Sequence, residues 1–237
     1  MSSPLGPLPA RFAVTVDSLH RVAEQLVAPA RKPDNEIALT VTPGGFGTPR
    51  FEHEGAEHQV RVEADELVHD VGGEQRRAPL ESLAGAGEIV AELLPPDAAL
   101  DPEPLAVERD SAAALAAWHR FGQGALEHLR AGAAVAEAAS EPILWPEHFD
   151  VAIELGDEAV GARATYGFSP GDADHPEPYA YVAPWATQPA GETWNATGFG
   201  GAELGYAELL AAPDPGAAVN EFFETRRAAL AAGGEAT

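Results

Sequence analysis

After a proline-rich stretch, residues 1–10, the chain takes up a helical rhythm. Phe12, Val16, Leu19, Ala23 and Leu26 recur at three- and four-residue spacing, which predicts an amphipathic helix over 12–27. Residues 36–41 read as a strand and run into a turn-rich loop, Thr42-Pro43-Gly44-Gly45-Phe46-Gly47-Thr48-Pro49. Residues 59–62 and 67–71 alternate as the two arms of a hairpin joined by Glu63, Ala64 and Asp65. Pro79 is read as opening a helix that buries Leu83, Ala86, Val90 and Leu93 and ends at Pro95. A Pro- and Asp-rich connector over 95–109 follows, and then a long helix with the stripe Leu115, Trp118, Gly122, Leu126 and Leu129. Strands are expected over 149–155, 163–168 and 179–183, with a shorter one near 193–197. A short helix near 204–210 precedes a last one, which starts at Asp214-Pro215 and buries Val219, Phe222, Phe223 and Leu230.

The order helix, three strands, helix is thus met twice. Thr42-Pro43-Gly44 with Pro49 and Phe51, and Ser169-Pro170-Gly171 with Pro178 and Tyr179, echo one another as hydroxyl, Pro, Gly, loop, Pro, aromatic. The expected fold is α+β: a largely antiparallel sheet of about six or seven strands with helices packed on one face, in two pseudo-repeated halves. The organisation read from the pattern is an extended lead-in (1–10), one α+β domain (11–231) with halves 11–94 and 110–231, and a tail (232–237). Neither half carries strands enough to bury its apolar face well alone.

Composition narrows the chemistry. Of 237 residues 45% are apolar, which suits a sizeable core. There is no cysteine, so disulfides, thiol catalysis, iron–sulfur clusters and Cys-type zinc sites are excluded. The single lysine, Lys32, rules out a phosphate loop ending in Gly-Lys-Ser/Thr and makes a Schiff-base cofactor an unsuitable reading. The formal charge of −24 repels nucleic acid and anionic membranes. No stretch reaches the roughly 18 apolar residues of a membrane span, and the first residues lack a signal-peptide pattern. A cytoplasmic, acidic protein without nucleic-acid or membrane partners is expected. Its excess of Arg over Lys, with abundant Ala and Gly, suits a GC-rich bacterial genome.

Two motif matches fail on mechanics. Gly167-Phe168-Ser169-Pro170-Gly171 fits the G-x-S-x-G elbow of serine hydrolases, but Pro170 has no N–H for an oxyanion hole and no helix can follow. Gly44-Gly45-Phe46-Gly47 is followed by Pro49 and polar residues, so no helix N-terminus is available for a pyrophosphate.

The cluster that survives lies in the C-terminal half. His148 and Asp150 are two apart, so on a strand they face one side, roughly 7 Å apart. Asp172, Asp174, His175 and Glu177 share one loop between two expected strands. His148, Asp150, Asp172 and His175 are therefore the candidates for acid–base work, for a divalent metal ion, or for a purely structural hydrogen-bond network. No other cofactor is called for. Aromatic residues crowd the same segments, and Trp145, Glu177, Tyr179, Tyr181, Trp194 and Asn195 are the candidate ligand-binding residues. Residues 141–210 hold twelve acidic residues and one basic one, Arg163, which favours a neutral or cationic small molecule over an anion. The remaining histidines, His20 and His119 among them, read as surface or packing residues.

Leu144-Trp145-Pro146-Glu147-His148-Phe149-Asp150, Gly167 to Asp172 and Pro176-Glu177-Pro178-Tyr179-Ala180-Tyr181 carry a resemblance. With its Trp-Pro-x-His-Phe-Asp and Pro-Glu-Pro-Tyr-x-Tyr motifs, the chain resembles an uncharacterised bacterial family, a domain of unknown function. The resemblance implies a shared fold and a shared patch, and it implies no activity. Two expectations follow for function. One is a small-molecule-binding or interaction protein with a polar and aromatic pocket in the C-terminal half. The other is a hydrolase-type enzyme, metal-dependent or not, using His148, Asp150, Asp172 and His175.

Overall fold

The helical stripes and the alternating segments resolve into two antiparallel sheets meeting at one long helix. The structure, a computed structural model, describes residues 5–34, 36–173, 175–186, 191 and 193–234. In the first half, α1 (Phe12–Val22) continues through a π-turn at Ala23–Val27, and the whole predicted stripe from Phe12 to Leu26 is buried. Six strands follow: β1 (Thr40–Thr42), β2 (Gly45–Gly47), β3 (Phe51–His53), β4 (Ala56–Glu63), β5 (Glu66–Val71) and β6 (Glu74–Pro79). They form one sheet in the order β1-β2-β4-β5-β6, with β3 also paired to β4. The glycine segment is a hairpin. Gly44 turns the chain at φ +82°, and a Cβ on Gly45 would sit 2.2 Å from the Val62 carbonyl oxygen, so glycine is what lets β2 lie against β4. A short helix, α2 (Leu83–Gly87), closes this half.

The second half opens with α3 (Arg109–Ala131) and lays down β7 (Ile143–Trp145), β8 (Asp150–Leu155), β9 (Ala164–Ser169), β10 (Tyr179–Pro184) and β11 (Ala202–Gly205). These pair in the sequential order β11-β10-β9-β8-β7, and α4 (Tyr206–Ala211) and α5 (Pro215–Gly234) end the chain. The α+β class with antiparallel sheets and packed helices is as expected, and helix, meander, helix occurs in both halves. The strands are divided between a six-stranded and a five-stranded sheet. The Pro-Gly echo falls at different connections, between β1 and β2 in one half and between β9 and β10 in the other.

Helix α3 lies between the sheets and touches β1, β2, β8 and β9 as well as α1 and α5. Trp118 meets Phe168 edge-on at 5.3 Å, and Gly122 lets that ring come close, since a Cβ there would be 2.6 Å from it. Phe168 and Tyr166 both pack edge-on against Phe223 of α5, each at 5.6 Å. The C-terminal half thus holds a buried aromatic cluster running from Trp118 to Phe223. A paired bridge between Leu39 and Leu144, with both N–H···O bonds at 3.0 Å, joins the two sheets. None of the described helices is long and apolar enough to cross a membrane.

Two sequence expectations are corrected. Pro79 ends edge strand β6, where its missing N–H is tolerated, and the helix begins after Ser82, whose Oγ accepts the Gly85 N–H at 3.1 Å. No strand forms at 193–197; instead Ala202–Gly205 pairs with β10, and the Asn195 amide bonds both backbone groups of Glu203, each at 3.0 Å. The short strands β2, β3 and β7 were hidden by their three-residue lengths, and β6 by its run of polar residues.

Candidate functional site

Alternation along β8, β9 and β10 sends Val151, Ile153, Tyr166, Phe168, Ala180 and Val182 inward to the helices. The opposite, helix-free face carries Trp145, Asp150, Ala152, Thr165, Gly167, Ser169, Tyr179 and Tyr181. Register stacks Ala152, Gly167 and Tyr181 in one row across the sheet, and Trp145 and Asp150 in the next. The centre of the face is small and the rim is large, so a trough forms. It encloses about 770 Å³ and is lined by Trp145, Glu147, His148, Asp150, Thr165 and Tyr181, with Ala152 and Ala183 in its floor.

The turn between β7 and β8, residues 146–149, sets the pose of this wall. Phe149 N–H bonds the Trp145 carbonyl at 2.7 Å, and Phe149 itself is left-handed at φ +55°. That conformation costs a non-glycine residue roughly 1–2 kcal/mol. It persists because the ring is anchored on the inner side of the sheet: stacked on His20 at 5.2 Å, and edge-on to Phe46 at 4.9 Å and to His119 at 5.3 Å. The two histidines also hold the turn's backbone. His20 Nε2–H donates to the Pro146 carbonyl at 2.8 Å and His119 Nε2–H to the Phe149 carbonyl at 3.3 Å. His119 is fully buried, and burial lowers its pKa to about 4, so it stays neutral. The positioning role of these two residues was missed in the sequence. The available signal was that His119 adjoins Trp118 on the inward side of α3.

Asp150 follows Phe149 and points the other way. It is 4% exposed, and its Oδ2 accepts a hydrogen bond from the Tyr181 hydroxyl. Tyr181 belongs to β10 and reaches β8 across β9, which is possible because Gly167 lies between: a Cβ there would be 2.5 Å from the Tyr181 ring. Asp150 Oδ1 is buried without a hydrogen-bond partner. Burial raises the Asp150 pKa despite the Tyr181 bond and the nearby His148, while burial and the neighbouring carboxylate hold the Tyr181 hydroxyl protonated. An unsatisfied buried oxygen of this kind costs on the order of 1–3 kcal/mol.

No family model, curated protein or solved structure matches the chain. The other expected residues therefore stand on their geometry alone. Trp145, His148, Asp150 and Tyr181 line the trough together. Tyr179 stands beside it at 6.2 Å from the Tyr181 ring, with burial raising its hydroxyl pKa, and the His175 ring packs on it at 4.2 Å. His175 and Asp172 serve their own loop: His175 N–H donates to Asp172 Oδ1 at 2.8 Å, and His175 Nδ1–H to the Glu177 carbonyl at 2.9 Å. The Glu177 side chain is exposed. Trp194 is buried in the core and Asn195 is committed to Glu203. Asp174 lies outside the described residues. Among the described residues, no three His, Asp or Glu side chains are grouped to hold a metal ion. Ser169 Oγ accepts the Gly171 N–H at 3.1 Å at the end of a strand with no helix after it, as the argument against a serine elbow requires.

Proposed function

We propose that the helix-free face of the five-stranded sheet is a binding site for a neutral or cationic small molecule. The observation that carries this is Asp150: a buried carboxylate on the wall of an aromatic-rimmed trough, with one oxygen held by Tyr181 and the other unpaired. A fold tolerates an unsatisfied buried acceptor where a ligand completes it, and perturbed acids gather at functional sites. Five residues of the motifs singled out in the sequence, Trp145, Glu147, His148, Asp150 and Tyr181, line this trough. The measurement is a thermal-shift screen of metabolites on the full chain, repeated on Asp150→Asn. Compounds that stabilise the protein and lose that effect in the variant support the site. A blank screen, or stabilisation indifferent to Asp150→Asn, removes it.

One observation favours a second, enzymatic reading. An acid with a raised pKa, adjacent to His148 in an open trough, is suited to give and take a proton. A hydrolase of this kind would use Asp150 and His148, with Asp172 and His175 in a supporting loop. Ester or amide turnover that falls at least about a hundredfold in Asp150→Asn would establish it.

A further inference from the structure

The trough's own charges and donors specify more than a small molecule. We infer that its ligand is an organic cation bearing N–H donors, a primary amine, guanidinium or amidinium, with the N–H seated on Asp150 Oδ1. This rests on the binding-site reading above and names its ligand class. The unpaired atom is an acceptor, so it selects a donor. Ionised carboxylates accept most strongly from charged N–H groups. Trp145 and Tyr181 line the trough with Asp150, and aromatic rings attract a cation and suit a planar amidinium.

Among the described residues that line the trough there is no Lys or Arg to receive an anion. Arg163, the one basic residue among 141–210, donates to Glu154 Oε2 at 3.0 Å and to the Gly156 carbonyl at 3.2 Å, and lies over the Trp185 ring at 4.9 Å. Glu147 on the rim adds further negative charge. A quaternary ammonium would satisfy the aromatic faces and the charge, but it has no N–H for Oδ1. That difference separates a specific seat from general attraction to an acidic surface.

The experiment is calorimetric titration of the full-length protein at about pH 8, where an unperturbed imidazole is neutral. The probes are n-butylamine, benzamidine, tetramethylammonium, inorganic phosphate and glucose. The amine and the amidine should bind about tenfold or more tightly than tetramethylammonium, the gap expected of one charged hydrogen bond. Asp150→Asn should abolish that preference, with an unchanged circular dichroism spectrum. Glu147→Gln should weaken all three cations alike and leave the preference intact. Equal binding of tetramethylammonium, or a preference that survives Asp150→Asn, overturns the N–H assignment. Binding of glucose that depends on Asp150, with no binding of amine or amidine, overturns the cation class and leaves the site standing, whereas such binding of phosphate overturns the neutral-or-cationic reading as well. If neither amine nor amidine binds, the inference is wrong; the site itself falls only if the metabolite screen is also blank.

Discussion

Asp70 and Asp150 are each 4% exposed, and each lies on the outer face of a sheet, yet their carboxyl groups are driven in opposite directions. Burial opposes ionisation of Asp70, but Gln75 Nε2 at 3.1 Å and the Gly73 N–H at 3.0 Å donate to it, Arg50 and Arg61 stand near, and its pKa is lowered. Burial opposes ionisation of Asp150 as well, and there the Tyr181 bond, the nearby His148 and the residue's own backbone N–H together do not outweigh it. The surroundings differ in the same sense. Around Asp70, Arg50 pairs with Glu57 at 2.7 Å, and Arg77 with Glu63 at 2.8 Å and Glu66 at 3.1 Å. Every charge there has an internal answer. Around Asp150 the central positions are Ala and Gly, and an oxygen is left over. Equal burial on outward sheet faces therefore accompanies a closed network of bonds at Asp70 and a carboxylate with an unpaired oxygen at Asp150.

The backbone repeats the contrast. The turn after β5 uses Gly72 and Gly73 at φ +59° and +93°, where glycine is unstrained, while the turn before β8 puts Phe149 at φ +55°. The largest effect should come from that residue. Phe149→Ala loses the ring that justifies the strain and should cost about 3–5 kcal/mol in urea unfolding. In native-state hydrogen exchange, protection should fall first in 144–150 and stay unchanged in 66–79. Uniform loss across both sheets would mean the turn is not separately anchored.

Acid should distinguish the two faces next. His119 has a pKa of about 4 when folded against 6.5 when unfolded, so the unfolded chain binds more protons between those values. Stability is therefore whole above pH 6.5 and falls as pH drops to 4, by roughly 3 kcal/mol. Asp70, with its pKa lowered, loses its contribution only below the ordinary aspartate range, whereas Asp150, with its pKa raised, gains as it protonates. Unfolding free energies measured from pH 7 to 4 should show the early decline, and His119→Gln should flatten it. A decline that persists in the variant would assign it to other groups.

The smallest effect is the sharpest in sign. Asp70→Asn should lose about 1–2 kcal/mol at pH 7 by weakening satisfied charged bonds, and Asp150→Asn should gain up to about 1 kcal/mol by removing a buried charge. Losses of similar size in both variants would erase the distinction between the faces.

Strong periodicity made α1, α3, α5, the β4–β5 hairpin and strands β8, β9 and β10 readable from the sequence. The division into two sheets was not, because a pattern of two reports which face a residue takes and not which strand it pairs with. The same limit applies to the trough. His148 lies in the turn before β8 and not on a strand, so the Phe149 turn and not alternation brings it beside Asp150, and the Asp150–Tyr181 bond skips a strand and depends on Gly167 being bare. Asp172 and His175 are close in the chain to Tyr179, yet the His175 N–H bonds Asp172 and its Nδ1–H bonds the Glu177 carbonyl within the loop. Trp194 and Tyr166 illustrate how an aromatic residue in a candidate segment can belong to the core.

Phe149 has one more consequence. Its ring is read by α1, α3 and β2, while its backbone aims His148 and Asp150 at the opposite surface. The trough is therefore not a portable patch. Copying β7 to β10 onto another meander would transplant the residues without their posture, and a graft would have to bring His20, His119 and Phe46 with it. By the same route, a sequence drifting at those three hidden positions would change the posture of the open face without changing a single residue on it.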